Sequence, residues 1–237
     1  MKSIFEFRYD VYCVERAFLR ADRYPGGRET DEFDKDSEHF CVFEQGEEPV
    51  GYVRLVHAHE GGFPFEQHGL AHEALGLPPA GEAVEISRLM VRKDYRHGHH
   101  DRRRIADEAF APLLGQRRLS RSARILLHLY RRIYAYSLEN GVRHWYAAME
   151  RSLARSLRQW GFGFRQIGPE TDYFGPVAPY LASLAEMEAG IAAHNPALLH
   201  WLQAEPDEAD PAMDWTLRHL QRPQAVYSEA SRALTSA

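Results

Sequence analysis

Glu85-Ile86-Ser87-Arg88-Leu89-Met90-Val91 is the stretch on which the reading of this chain turns. Ile86, Leu89, Met90 and Val91 supply the apolar and β-branched bulk of a strand. Yet Glu85, Ser87 and Arg88 set an acid, a hydroxyl and a guanidinium close together on it. Side chains alternate along a strand, so Glu85 and Ser87 are predicted on one face and Ile86 and Arg88 on the other. Charges on so apolar a strand are costly to bury unless paired. Either this is a half-exposed edge strand with a solvated polar face, or the charges serve a site.

Outward from this strand, periodicity gives an α+β succession. Ile4, Phe5, Val11, Tyr12, Val14 and Phe18 have helical spacing over residues 2–18. Residues 20–36 are polar, with Pro25-Gly26-Gly27 as a turn. Residues 39–44 and 50–57 read as two strands of a hairpin. A Gly- and Pro-marked connection over 58–83 holds a short helix between residues 65 and 75. A long helix is predicted over 123–139, closed by Asn140-Gly141. Then come a strand (142–149), a helix (150–160), strands near 162–167 and 173–180, and two helices divided by Asn195-Pro196.

The chain has 237 residues, 44% hydrophobic and 12% aromatic, enough for a sizeable core. With no linker or repeat to divide it, residues 1–205 are expected to form one domain, with a basic insertion at 92–122 and a C-terminal tail at 206–237. Two cysteines are too few for a disulfide framework, which favours a reducing cytoplasm. Glu6 and Arg8 come too early for a signal peptide. No apolar run approaches the roughly 20 residues that cross a bilayer, although peripheral membrane contact stays open. Cys13 lies in the first amphipathic helix, where a small buried apolar group is the plainer reading.

Net charge is −5, unevenly spread. Residues 92–124 hold ten Lys/Arg against four Asp/Glu, a balance of +6, which leaves −11 on the remainder. The basic segment is either a solvated insertion or a docking surface for an acidic partner. It carries no recognisable nucleic-acid-binding motif. His97, His99 and His100 have only Asp101 nearby as a further ligand, so no metal site is expected.

Arg8-Tyr9-Asp10-Val11-Tyr12, Glu29-Thr30-Asp31-Glu32-Phe33-Asp34, Gly51-Tyr52-Val53-Arg54-Leu55 and Glu85-Ile86-Ser87-Arg88, in that order, resemble the signature of the LuxI-type acyl-homoserine lactone synthases. They also resemble the related N-acyl amino acid synthases, which share the GNAT acyltransferase fold. The nearest likeness is to acyltransferases associated with bacterial exosortase (PEP-CTERM) systems. It rests on Tyr12-Cys13-Val14-Glu15-Arg16, Asp31-Glu32-Phe33-Asp34 and Ile167-Gly168-Pro169…Asp172-Tyr173…Gly175. It runs from about residue 5 to residue 185. The resemblance implies an α+β, α/β/α sandwich whose mixed, mostly antiparallel sheet is flanked by helices. It also implies an acceptor site at Arg8, Asp31, Asp34, Arg54, Glu85 and Arg88.

The residues themselves fit acyl transfer to an amine. Glu85 would accept the proton, since a carboxylate in an apolar strand tends to a raised pKa. Ser87 would hydrogen-bond the oxyanion or the thioester arm. Arg8, Arg54 and Arg88 would pair with Asp31, Asp34 and Glu85, or clamp an acceptor carboxylate, Arg54 first among them. An ion-pair network that merely orders the N-terminal segment against the sheet explains the same residues. Trp145, Tyr146, Phe162, Phe164 and Tyr173 would either line the acyl chain or form plain core.

Two departures shape the expected substrates. A GNAT enzyme normally binds the donor's pyrophosphate through a Gly-rich loop opening a helix, but after Val91 only Gly98 remains of such a loop. This disfavours an ordinary coenzyme A-dependent acetyltransferase and suits a phosphopantetheine arm carried by acyl carrier protein, docked on Arg96, Arg102, Arg103 and Arg104; acyl-CoA is the other donor. Lactone synthases carry a Trp before the acidic pair, and residues 13–30 contain none. The expectation is therefore a cytoplasmic N-acyltransferase that moves a long-chain fatty acyl group from acyl carrier protein to an amino acid, with no tightly bound cofactor. The alternatives are an acyl-homoserine lactone synthase using S-adenosylmethionine, and a catalytically silent module that binds carrier protein or lipid.

Overall fold

The computed structural model describes residues 1–44, 48–70, 76–96, 120–173, 175–204, 209–210 and 215–220. The chain opens with helix α1 (Lys2–Tyr9), which continues into a π-helical segment, Asp10–Glu15. The 2–18 helix is thus α-helical for half its length, and its widened part ends where Ala17 turns to a φ of +51°. A short 3₁₀ turn, Glu32–Asp36, leads into the hairpin of β1 (Ser37–Glu44) and β2 (Pro49–His57). Helix α2 (Pro64–Gln67) precedes β3 (Ala83–Val91), the strand of the opening motif, and α3 (Lys93–Arg96). Then follow α4 (Arg121–Glu139), β4 (His144–Met149), α5 (Arg151–Gln159), β5 (Arg165–Gln166), β6 (Thr171–Asp172) and β7 (Pro176–Ser183). Helices α6 (Leu184–His194) and α7 (Pro196–Gln203) and strands β8 (Ala209–Asp210) and β9 (Trp215–Leu220) complete the described elements.

The strands join in one sheet ordered β5-β7-β4-β3-β2-β1-β9-β8, with β6 on β7. Every pairing is antiparallel except β3 with β4. Residues 215–220, assigned to the tail, instead form a strand on β1. Trp215 and Leu217 are buried there, which is why this apolar pair is held in the sheet.

Period-two alternation divides the sheet's two faces. Phe40, Val42, Val53, Leu55, Val84 and Ile86 join Ile125, Leu129 and Ile133 of α4 in the main core. Gly51 lets that helix come close, because a Cβ there would lie 2.2 Å from Ile125 Cγ2. On the opposite face Cys41, Phe43, Tyr52 and Met90 meet Ile4, Phe7 and Val11 of the N-terminal segment. The polar cluster lies on that second face. Cys13, in the π-helical segment, is buried as well. No helix among the described residues is long and apolar enough to cross a membrane.

Candidate active site

The opening strand carries the device that builds the site. Opposite β2, Arg54 pairs with Ser87 but Tyr52 pairs with Met90, so β3 holds one extra residue. This is a β-bulge, and Arg88 sits in it with a φ of +53°. The bulge resets the alternation. Val91 faces α4 with Ile86, whereas Met90 faces the N-terminal segment. Ser87 and Arg88, expected on opposite faces, therefore join one network.

That network holds three arginines and three carboxylates. Arg8 donates from Nε to Glu29 Oε2 and from Nη1 to Asp34 Oδ1, both at 2.5 Å. Arg54 grips Asp31 with Nη1 (2.5 Å) and Nη2 (3.0 Å), reaches Asp34 Oδ1 at 2.7 Å, and donates to Ser87 Oγ at 3.2 Å. Arg88 donates from Nη2 to Glu29 Oε1 (3.0 Å) and to Asp31 Oδ2 (2.9 Å). Local sequence places the acids: Asp31 caps the turn by accepting from Phe33 N–H, and Asp34 accepts from Asp31 N–H. The side chains of Arg8, Arg54, Glu29 and Asp34 have no exposure; Asp31 keeps 15% and Arg88 18%. Burial alone would raise the Glu29 carboxyl, but Arg88 and Arg8 outweigh it and hold its pKa at about 2. Burial is likewise outweighed at Asp31, where Arg54, Arg88 and Arg8 drive the pKa far down.

Glu85 stands apart from this network. It is buried, accepts a hydrogen bond from Phe65 N–H at 2.9 Å, and forms no ion pair among the described residues. Burial raises its pKa to about 8, and the Phe65 N–H and the fields of Arg54 and Arg88 only partly oppose this. Glu85 lines a cavity of about 440 Å³ together with Ser87 and Arg88. The cavity has a structural cause. Parallel pairing of β3 with β4 stops at Ile86 and Ala147. Beyond that point β3 stays paired with β2 as far as Val91, and β4 with β7 as far as Met149. The facing edges part, and the wedge between them is the cavity. Its walls are Ile86, Leu89, Ala147, Leu126, Leu153 and Tyr130; its acid end is flanked by Tyr12, Phe18, Phe65, His68 and Tyr173.

The structure redistributes several expected roles. Glu85 is not the third carboxylate of the arginine network; Glu29 is. Its signal was charge balance, since three buried arginines call for three acids and residues 29–34 supply them. Arg54 is fully buried and engaged through both terminal nitrogens, so it cannot clamp a substrate carboxylate without giving up Asp31; Arg88 is the partly exposed arginine. Trp145, Phe162 and Phe164 are main core and Tyr146 lies in a smaller cluster, so of the five aromatic candidates only Tyr173 reaches the cavity. Arg96 lines the cavity and is ion-paired with Glu15. Arg102, Arg103, Arg104 and the histidines at 97, 99 and 100 lie outside the described residues, as does most of the 92–122 insertion. Among the described residues no cluster could hold a metal ion.

Comparison with known proteins agrees with this architecture. Residues 7–104 match the family described as Acetyltransferase (GNAT) domain, which takes in the network and both motif strands. No curated protein sequence matches the chain. Among solved structures, the CoA-dependent acyl-homoserine lactone synthase BjaI, with SAM and isopentyl-CoA, is 21% identical with a TM-score of 0.57, over 81% of this chain and 80% of its own. TofI, in a ternary complex with an inhibitor and MTA, is 18% identical with a TM-score of 0.54, over 83% and 91%. The AHL synthase LasI is 15% identical with a TM-score of 0.52, over 80% and 88%. The chain has the GNAT fold, a mixed and mostly antiparallel sheet flanked by helices.

Proposed function

We propose that this protein is an N-acyltransferase that moves a long-chain fatty acyl group from acyl carrier protein to the amino group of an amino acid. The observation that carries this reading is Glu85: a buried acid with no ion pair among the described residues and a pKa raised by burial to about 8, lining a cavity where two parallel strands part. An extended arm bearing amide groups fits such a wedge, because the β3 edge beyond Ile86 has no strand partner there among the described residues. The amine nitrogen attacks the thioester carbonyl carbon, forming the C–N bond. Glu85 takes the nitrogen's proton, and collapse of the tetrahedral intermediate breaks the C–S bond. The thiolate leaves and receives that proton from Glu85. Ser87 Oγ, held by Arg54, stands beside Glu85 as a hydrogen-bond donor.

The aromatic rings at the acid end support an amino acid as the acceptor. A sulfonium would favour an open aromatic face. One face of Tyr12 and one of Phe18 already carry a guanidinium, Arg88 at 5.1 Å and Arg16 at 5.8 Å. Arg16, Arg88 and Arg96 line the cavity and suit an anionic carboxylate instead. The surface of α5 supports acyl carrier protein as the donor. Arg151, Arg155 and Arg158 lie along one exposed face of this helix, which holds no acid of its own, while its Leu153 lines the cavity. An acidic carrier protein docked there would sit beside the entrance. The test is mass spectrometry of products from purified protein given acyl carrier protein loaded with a long acyl chain, the twenty amino acids and S-adenosylmethionine. N-acyl amino acids, absent with Glu85→Gln, are expected. Acyl-homoserine lactone in their place establishes the lactone-synthase reading, and no product at all establishes a silent module.

A further inference from the structure

We propose that Glu29 is a positioning residue that aims Arg88 at the carboxylate of the acceptor. The inference rests on the amino-acid-acceptor reading above. Glu29 is fully buried in a polar loop, and its own N–H donates to Phe5 O at 3.0 Å, which fixes the loop to α1. Its Oε2 accepts from Arg8 Nε at 2.5 Å and from Arg88 Nε at 3.4 Å, and its Oε1 accepts from Arg88 Nη2 at 3.0 Å. One carboxylate thus spans two arginines, one deep and one at the cavity wall.

The geometry on Arg88 is directional. A planar guanidinium offers a side edge, Nε with Nη2, and an end edge, Nη2 with Nη1. Glu29 takes the side edge, and Asp31 accepts a second bond from Nη2 at 2.9 Å. Tyr12 covers a face of the plane. Among the described residues Nη1 donates to no carboxylate, and the Arg88 side chain keeps 18% exposure where those of Arg8 and Arg54 have none. Arg88 lines the cavity that Glu85 shares. Glu29 therefore fixes the rotation of the guanidinium so that Nη1 faces the acceptor. Aspartate is one methylene too short to reach both arginines from this loop.

The substrate class that follows is a free α-amino acid, with its carboxylate on Arg88 and its amine toward Glu85. The test uses the amino acid that the wild type acylates fastest among the twenty, and its amide. Glu29→Gln should raise the KM for the acid by on the order of tenfold, the weight of one charge-assisted hydrogen bond, with the donor KM and the plateau kcat at alkaline pH much less affected. The KM for the amide should not move, so the preference for acid over amide collapses. Arg88→Lys should give the same collapse. If Glu29→Gln fails to fold, Glu29→Asp, which keeps the charge, should show the selective KM change. Equal changes for acid and amide, or a change in kcat alone, would overturn the assignment. A readout that does not depend on turnover separates this inference from the reading it rests on. In ¹⁵N spectra of arginine side chains, the Arg88 Nε–H signal, identified by its loss in Arg88→Lys, should be sharp and held in the wild type and shifted and averaged in Glu29→Gln. An unmoved signal shows that Glu29 does not position Arg88, whatever the enzyme acylates.

Discussion

Replacing Glu85 by glutamine should stabilise the protein and disable it together. The folded protein holds this carboxyl at a pKa of about 8, against an ordinary 4.5. Between those values the folded state keeps a proton that the unfolded chain has released, so each rise in pH favours unfolding. The contribution is intact below about pH 4.5 and is lost as pH climbs through 8. At about 1.36 kcal/mol per pH unit, the full gap corresponds to an upper limit on the order of 4–5 kcal/mol. Water entry and local relaxation on ionisation reduce this, and a gain of about 2 kcal/mol or more is expected for Glu85→Gln at pH 9. The amide oxygen can still accept from Phe65 N–H, so the variant mimics the protonated acid. Urea unfolding of both proteins from pH 5 to pH 9 measures the difference, in which titrations common to the two cancel. The gap between the curves should widen with pH. In the same range, wild-type kcat should climb with the ionised fraction of Glu85 and level off above pH 8, while the variant loses about two to four orders of magnitude. A stability difference that stays flat with pH would refute the buried-acid argument. A flat wild-type rate profile would remove Glu85 as the base.

Arg54→Lys keeps the charge but loses the paired grip on Asp31, so it should cost about 3–5 kcal/mol in urea unfolding through uncompensated buried carboxylates; a cost under about 1 kcal/mol would show that the network is not structural. Gly51→Ala puts a methyl into Ile125 and should destabilise by about 1–3 kcal/mol without changing the acceptor KM at permissive temperature. Arg155→Glu with Arg158→Glu should raise the KM for acyl carrier protein several-fold and leave that for a short acyl-pantetheine nearly unchanged, and added salt should shrink the contrast. Equal effects on both donors would rule out docking on α5.

The apolar runs within residues 39–44 and 50–57 made the hairpin legible, but Phe40, Cys41, Val42 and Phe43 are all apolar, so which of them face α4 and which the N-terminal segment was not. The helix from Arg121 was legible from its apolar period, and its end was marked by Asn140-Gly141. The bulge was not legible. Nothing in Ser87-Arg88-Leu89 distinguishes a strand from a strand with one extra residue; the count is set by register against β2, a long-range property. That one residue decides whether Arg88 faces the helix or the acids. Strand β9 was missed because a six-residue strand with polar Thr216, Arg218 and His219 has little apolar pattern until β1 is placed beside it. The swap of Glu29 for Glu85 in the network was missed for another reason. Sequence order gives charges but not the distances that pair them.

That swap explains how a base and a cluster of arginines can be neighbours. Had Glu85 been the third partner of the arginines, their field would have held its pKa as low as that of Glu29, about 2. So weak a base is ill matched to removing a proton from an amine near neutrality. With Glu29, Asp31 and Asp34 in place, the three guanidiniums are already balanced, and what reaches Glu85 from Arg54 and Arg88 is too small to offset burial. The network thus does two things on the proposed reading. It fixes the arginines, and by satisfying them it leaves the acid on β3 free to titrate where acyl transfer needs it. Glu29→Gln should then do more than loosen Arg88. With one negative charge removed beside the arginines, the ascending limb of the pH–rate profile should move to lower pH, since a net positive network favours ionised Glu85. A limb that stays in place, or moves upward, would show that the network and Glu85 do not sense one another.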